Sequence, residues 1–152
     1  MGLGTILRAL HSRNDALGME CRFAQHAPSA QRTVDLFAEG WASHLPIPGV
    51  HSGQHALFED PTVRWLLREC EGVLGKRVLE LGPLEGAHSR MLQDAGAREV
   101  VGVESNARAY LKCLVAKELL SSDRCKFLFG DFREFLRTSG ERFDASTAGA
   151  PR

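Results

Sequence analysis

Past Gly75 the chain changes rhythm, and that change constrains the fold more than any single residue. Three short apolar runs follow, KRVLELG (76–82), REVVGVES (98–105) and CKFLFGD (125–131), each ending in glycine, serine or an acid. Their length and branched or aromatic content read as buried strands. Between them GAHSRMLQDAG (86–96) and NARAYLKCLVAKELL (106–120) carry helical spacing, and FREFLRTSG (132–140) a third helix. RFDAS (142–146) opens a fourth strand. Strands alternating with helices pair in parallel through right-handed crossovers. The expected class is therefore α/β, a Rossmann-like open parallel sheet with helices on both faces.

The first 75 residues read differently. Residues 1–27 show no sustained period and are expected to be a loose arm. Val34, Phe37 and Trp41, with Ala38 beside them, recur at helical spacing, so a helix is expected from Ser29 to Trp41, closed by Gly40. SHLPIPGVHSGQH (43–55) is a loop by composition. In EDPTVRWLLRECEGVLG (59–75), Asp60 is the expected N-cap and Pro61 the first helical residue. Val63, Leu66, Leu67 and Cys70 would line one face, and Gly72 or Gly75 would end the helix. We divide the chain into residues 1–75, a helical arm with a lid-like loop, and residues 76–152, a partial Rossmann-like domain.

In such sheets ligands bind beyond the carboxyl ends of the strands. The first tip reads Glu80-Leu-Gly82-Pro-Leu84-Glu85-Gly86, the second Glu104-Ser105, the third Asp131-Phe132. A dinucleotide fingerprint would need glycines at 82, 84 and 87, but Leu84 and Ala87 stand at the last two, and Glu85 would repel a diphosphate. No Gly-Lys-Ser/Thr ends the loop, which excludes a Walker phosphate loop. An adenosine ligand without phosphates and with a positive charge fits better. Glu104 would accept from the ribose hydroxyls, Asp131 from the adenine amine, Phe132 would cover a ring face, and Glu80 would help hold an ammonium. Each has a plainer role available: the glycines as a strand-to-helix turn, Glu104 as a solvated acid, Asp131 as an N-cap, Phe132 as core.

These residues carry a resemblance. VLELGPLEGAHS, VVGVESNARAYLKCLVAKELL, FLFGDF and RFD together resemble the class I S-adenosylmethionine-dependent methyltransferases, in particular a bacterial subgroup with LELGPLEG and NxRAYLKCL segments. The resemblance covers about residues 30 to 145 and implies a fold of about seven strands, the fourth beside the first. It implies that Glu80, Gly82, Leu84 and Gly86 cradle the methionyl tail of S-adenosylmethionine, that Glu104 and Ser105 lie at the ribose, and that Asp131 and Phe132 lie at the adenine. Leu84 replaces the family's usual middle glycine. Methyl transfer to an unidentified acceptor, with a small molecule or a sugar as the candidate, is the implied activity, with a non-catalytic cofactor-binding fragment and an NAD-dependent oxidoreductase as alternatives. ASTAGAPR (145–152) lacks the branched residues of a central strand. The chain therefore reads as truncated, with the acceptor half missing, the first strand left as an exposed edge prone to self-association, and weak activity by itself. No general base is nominated. Methyl transfer from a sulfonium asks for alignment rather than a covalent nucleophile.

The remaining features are bland. Lys plus Arg equal Asp plus Glu at 19 each, which excludes a global field for nucleic acid or anionic lipid. No apolar run is long enough for a membrane span, and no secretory leader is recognised. The four cysteines, Cys21, Cys70, Cys113 and Cys125, form no CxxC pair, which fits a reducing cytoplasm, and Cys113 is expected to be buried. His51 and His55 are four apart but sit in a loop, so no metal is assigned. His88 is expected to face solvent, Trp41 and Trp65 to join the core, and helix lysines and arginines to form solvated faces. The segment LPIPGVHSGQHALFEDP (45–61) is the candidate lid or acceptor contact.

Overall fold

The computed structural model describes residues 23–37, 40–69 and 72–148. The proposed helical contribution of Ala38 and Cys70, and nearly all of the N-terminal arm, lie outside these residues. Helix α1 (Ala30–Asp35) is capped by the Ser29 side chain, which accepts from Arg32 N at 3.3 Å. It stops well short of the expected Trp41. Phe37 and Trp41 instead pack edge to face at 5.9 Å beyond the helix, and Trp41 Nε1 donates to Val34 O at 3.0 Å. A 3-10 turn (Leu57–Glu59) precedes α2 (Pro61–Glu69), whose start is as expected: Asp60 Oδ1 accepts from Thr62 N at 2.7 Å.

The alternating part follows as β1 (Arg77–Leu81), α3 (Ala87–Asp94), β2 (Glu99–Glu104), α4 (Ala107–Leu119), β3 (Cys125–Phe129), α5 (Phe132–Thr138) and β4 (Ala145–Ala148). All pairings are parallel, and the order is β3-β2-β1-β4. Alternation along each strand sorts the side chains between two faces. One face packs Val78, Val100, Cys125 and Phe127 with Leu92 of α3 and Cys113 of α4. The other packs Leu79, Val101 and Val103 against Phe132, Phe135 and Phe143. Cys113 and Cys125 are buried as small hydrophobes. Burial holds their thiols protonated, pushing Cys125 up to about 12 and Cys113 higher still.

Three expectations need correction here. First, β1 is not an edge, because Val78 to Leu81 pair with Ala145 to Ala148. The small residues of β4 do not hold it in place alone. Asp144 N donates to Arg77 O at 2.8 Å, Arg77 N donates to Asp144 Oδ2 at 2.7 Å, and the Arg77 guanidinium lies 4.5 Å from the Phe143 ring centroid. Second, the large apolar residues of 106–120, Tyr110, Leu111, Leu114, Val115 and Leu119, are expected to form the buried side of α4, and they do not. Ala109, Lys112, Cys113 and Ala116 are buried, whereas Leu114 is exposed. Small side chains let the helix axis approach its neighbours closely. Third, Trp65 is 52% exposed rather than core.

The N-terminal segment forms no separate core. Val34, Leu45, Val50 and Phe58 cluster with Ala87 of α3 and Ala116 of α4. Residues 40–58 thus run as a strap across the helices that flank the glycine loop.

Candidate functional site

The loop after β1 is built from left-handed backbone. Gly82 (φ 70°), Leu84 (φ 57°) and Gly86 (φ 76°) alternate with Pro83 and Glu85. Gly82 N donates to Val103 O at 3.0 Å, and Pro83 O accepts from Glu85 N at 2.7 Å and Gly86 N at 2.9 Å. At Gly86 a Cβ would come within 2.9 Å of Phe127 Cζ, so both dihedral and space demand glycine. At Gly82 no atom lies within 4 Å of where a Cβ would stand. That is open room for a ligand against bare backbone. Leu84 takes the conformation that a glycine would take, at a cost of about 1 kcal/mol.

What holds Leu84 there is Glu104. This acid at the tip of β2 is buried, its Oε2 accepts from Leu84 N at 3.0 Å, and its Oε1 accepts from Asn106 N at 2.8 Å. Loop and acid share one cleft of about 410 Å³, with Ser43 and Leu57 from the strap, Asp60 from the cap of α2, and His88 from α3. Gly82, Leu84 and Glu104 are thus brought together as expected, and Gly86 closes the loop as the N-cap of α3.

Glu85 has a different role from the one read in the sequence. It does not project bare charge at the mouth of the loop. It is 1% exposed, and its carboxylate accepts from Ala42 N at 2.9 Å, Ser43 N at 2.7 Å and Lys112 Nζ at 2.9 Å. Burial works against its ionisation, but the Ser43 contacts, Lys112 and the Ala42 N–H prevail and hold its pKa below the ordinary value. Lys112, expected on a solvated face, is 5% exposed and also donates to Gly40 O. The pair buttons the strap to the glycine loop. The strap is itself cross-tied, since His55 N donates to Ala42 O at 2.9 Å and Gly53 N to Ser43 O at 2.9 Å.

Glu80 is the second correction. It is 1% exposed, accepts from Ser89 Oγ and lies beneath the loop rather than in the cleft. Strand alternation puts Glu80 on the α3 face with Val78, where Ser89 of α3 packs over it. Burial raises its pKa, Ser89 and His88 oppose the shift, and Glu104 adds to it. His88 is not a solvent-facing residue. Its Nε2 lies 3.1 Å from Asp60 Oδ2 and its Nδ1 3.9 Å from Glu80 Oε1. Burial alone would raise the Asp60 pKa, but the Thr62 N–H and His88 bring it below its usual value. The sequence carried one signal for this pair: the capping acid and the first turn of α3 both follow loops that meet at the strand tips.

The third tip stands apart. Asp131 Oδ1 accepts from Arg133 N at 2.8 Å, and its Oδ2 is 2.7 Å from Arg133 Nη2. The Arg133 side chain is the main reason its pKa falls to about 2. Asp131 caps α5, Phe132 packs against the opposite face of the sheet, and neither lines the cleft. Ser105 is exposed and does not line it either. The plainer alternatives for Asp131 and Phe132 are the ones this geometry displays. His51 and His55 remain in the strap, and among the described residues no cluster of three metal-ligating side chains occurs.

Solved structures share this fold. The N-terminal domain of EvdMO1, crystallised in the presence of SAH and D-fucose, superposes with a TM-score of 0.61 at 22% identity, over 82% of this chain and 54% of that one. A dimethyladenosine transferase from Plasmodium falciparum gives 0.51 at 19% identity, over 60% of this chain and 32% of that one. Protein arginine methyltransferase 10 of Arabidopsis thaliana gives 0.53 at 19%, over 62% and 26%. The fold is a Rossmann-like α/β sheet of the kind these methyltransferases have. The methyltransferase resemblance read from the sequence thus holds for the architecture. This chain spans about half the length, or less, of the methyltransferases it superposes on. No family model matches it, and no curated protein matches it. Among the described residues no helix is long and apolar enough to cross a membrane.

Proposed function

We propose that this chain binds S-adenosylmethionine in the Gly82–Glu104 cleft and forms the cofactor side of a methyltransferase acting on a small molecule or a sugar. The observation that carries the reading is the meeting of open left-handed backbone at Gly82 with the Glu104 carboxylate in one cleft of about 410 Å³. The EvdMO1 domain, similar in fold, was crystallised with SAH, which makes that product the natural probe.

The donor set suits such a ligand. Glu104 spends one contact per oxygen on backbone N–H groups, and each oxygen keeps a lone pair for a ribose hydroxyl. Asp60 and His88, both partly accessible, line the same cleft. A carboxylate beside an imidazole matches the ammonium and carboxylate of an amino-acid tail. When bound, the sulfonium supplies a methyl group with a good leaving group. The chain's own part is then to orient and to exclude water. The strap held by Glu85 and Lys112 covers the glycine loop and does the second of these.

A dinucleotide is disfavoured by Leu84, whose side chain lines the cleft where the fingerprint needs bare backbone. The charge argument is weaker than the sequence implied, because Lys112 neutralises Glu85. Calorimetry of the full chain with SAH, adenosine and NADH tests the reading. SAH should bind, Glu104→Gln should weaken it at least about tenfold, which is about 1.4 kcal/mol, and NADH should not bind. A folded chain that ignores SAH, or takes NADH in preference, refutes it. Methyl transfer to extract metabolites, followed by mass shift, distinguishes an enzyme from a cofactor-binding fragment.

A further inference from the structure

One hydroxyl on the strap is stranded. Ser43 is 0% exposed and lines the Gly82–Glu104 cleft. Its backbone is committed, since Ser43 N donates to Glu85 Oε2 at 2.7 Å and Ser43 O accepts from Gly53 N at 2.9 Å. Its Oγ has no hydrogen-bond partner, and among the described residues no other buried side-chain nitrogen or oxygen is left in that state. Burial opposes the charge on Glu85 and the nearby hydroxyl favours it, yet the two are not in hydrogen-bonding geometry. A buried hydroxyl without a partner costs free energy, and a native chain that keeps one calls for a partner that arrives later.

A second feature opens on the same cleft. Helix α3 starts at Gly86 with no side-chain cap, and its first residues, Ala87 and His88, line the cleft with Ser43. An uncapped helix N-terminus presents free N–H groups and a partial positive charge, which favour an anion. The ionisable side chains on the wall offer little else to one. Asp60, Glu85 and Glu104 are acids, and His88 has Nε2 3.1 Å from Asp60 and Nδ1 3.9 Å from Glu80. Ser43 Oγ is the side-chain donor on this wall that no acceptor holds.

We propose that Ser43 Oγ and the N-terminus of α3 together seat the carboxylate of the ligand's amino-acid tail, an assignment that rests on the cofactor reading above. The strap hydroxyl then selects a nucleoside that carries an amino acid over one that does not. The ammonium of the same tail lies toward Asp60. Because Glu85 Oε2 accepts from Ser43 N, the glycine loop itself fixes where the hydroxyl stands. Donor and helix N-terminus are thus placed before the ligand arrives, and a hydroxyl bound to a charged oxygen makes a stronger hydrogen bond than one bound to a neutral oxygen.

Calorimetry of the full chain with SAH and with 5′-methylthioadenosine, which keeps the adenosine and the thioether and lacks the amino acid, tests this. The parent should prefer SAH by at least about tenfold. Ser43→Ala should weaken SAH at least about fivefold and 5′-methylthioadenosine less than about twofold. Ser43→Cys, a weaker donor of similar shape, should fall between parent and Ser43→Ala on SAH. Without ligand, Ser43→Ala should melt no lower than the parent, because it removes a buried group that pairs with nothing. A lower melting temperature for the unliganded variant would assign the hydroxyl to Glu85 and overturn the proposal. So would equal losses for both ligands, or an SAH affinity that Ser43→Ala leaves intact. A parent that binds 5′-methylthioadenosine as tightly as SAH overturns it too, while leaving the cleft an adenosine site. A folded parent that binds neither refutes the cofactor reading itself, and this assignment with it.

Discussion

The two ends of the strand-tip row are built on opposite terms. At β1 and β2 the acids are buried and each holds a partner from a distant part of the chain. Glu85 takes Ala42, Ser43 and Lys112, and Glu104 takes Leu84 as well as its near neighbour Asn106. At β3 the acid is 40% exposed at its side chain, and its partner Arg133 is two residues away. A long-range buried contact fixes where elements sit relative to one another. A local exposed one fixes only its own turn. The β1–β2 end is therefore preorganised, and the β3 end is free to reshape around a ligand.

The sharpest way to break this contrast is Glu85→Ala. It leaves Lys112 and two backbone N–H groups buried without their acceptor, and about 3–5 kcal/mol of stability should be lost. Urea unfolding reads the loss. Removing the lysine as well, as Glu85→Gln with Lys112→Met, should return part of it. A loss below about 1 kcal/mol for Glu85→Ala would mean the strap is not anchored there. Gly53→Ala attacks the strap from its other tie, since a Cβ would stand 2.3 Å from the Ala42 carbonyl atoms. We expect about 3 kcal/mol, with early proteolysis within residues 40–58. An unchanged melting temperature would contradict the tight crossing.

Glu80→Gln tests the buried acid by pH. The folded-state pKa is raised, so the carboxyl's contribution is complete below its ordinary value and is lost as pH rises through the folded value. The variant should be more stable than the parent at neutral pH, and its stability should fall less as pH rises. Matching pH profiles would show Glu80 to be solvated. Leu84→Gly removes about 1 kcal/mol of strain and adds a similar entropic cost in the unfolded chain, so melting should hardly move. Smallest of all, Asp131→Asn should change SAH affinity less than about threefold, against the tenfold expected for Glu104→Gln. Equal losses at the two acids would erase the distinction between the ends.

Much of this was legible from residues 76–148. The strand–helix alternation, the parallel pairing, the cap at Asp60, and the convergence of the glycine loop with Glu104 follow from local pattern and topology. What escaped is tertiary. Lys112 looks like any helix lysine until the strap places Gly40 and Glu85 around it. Glu80 and Glu104 look alike in the strand pattern, and only the packing of Ser89 buries the first beneath the loop. Ala145–Ala148 lacks strand propensity, and its pairing depends on Arg77, Asp144 and Phe143, which act through contacts rather than composition. Asp131 could be read as cap or ligand, and proximity to Arg133 decided the geometry seen.

The buried sulfhydryls offer a practical consequence. Cys113 and Cys125 sit on opposite sides of the sheet–helix seam, each at most 1% exposed and each held in its unreactive form by burial. An alkylating reagent can reach them only when α3 and α4 lift from the strands. Peptide-resolved labelling at these two positions is therefore a clock for interior opening, one that needs no engineered probe and should slow when a ligand binds the folded chain.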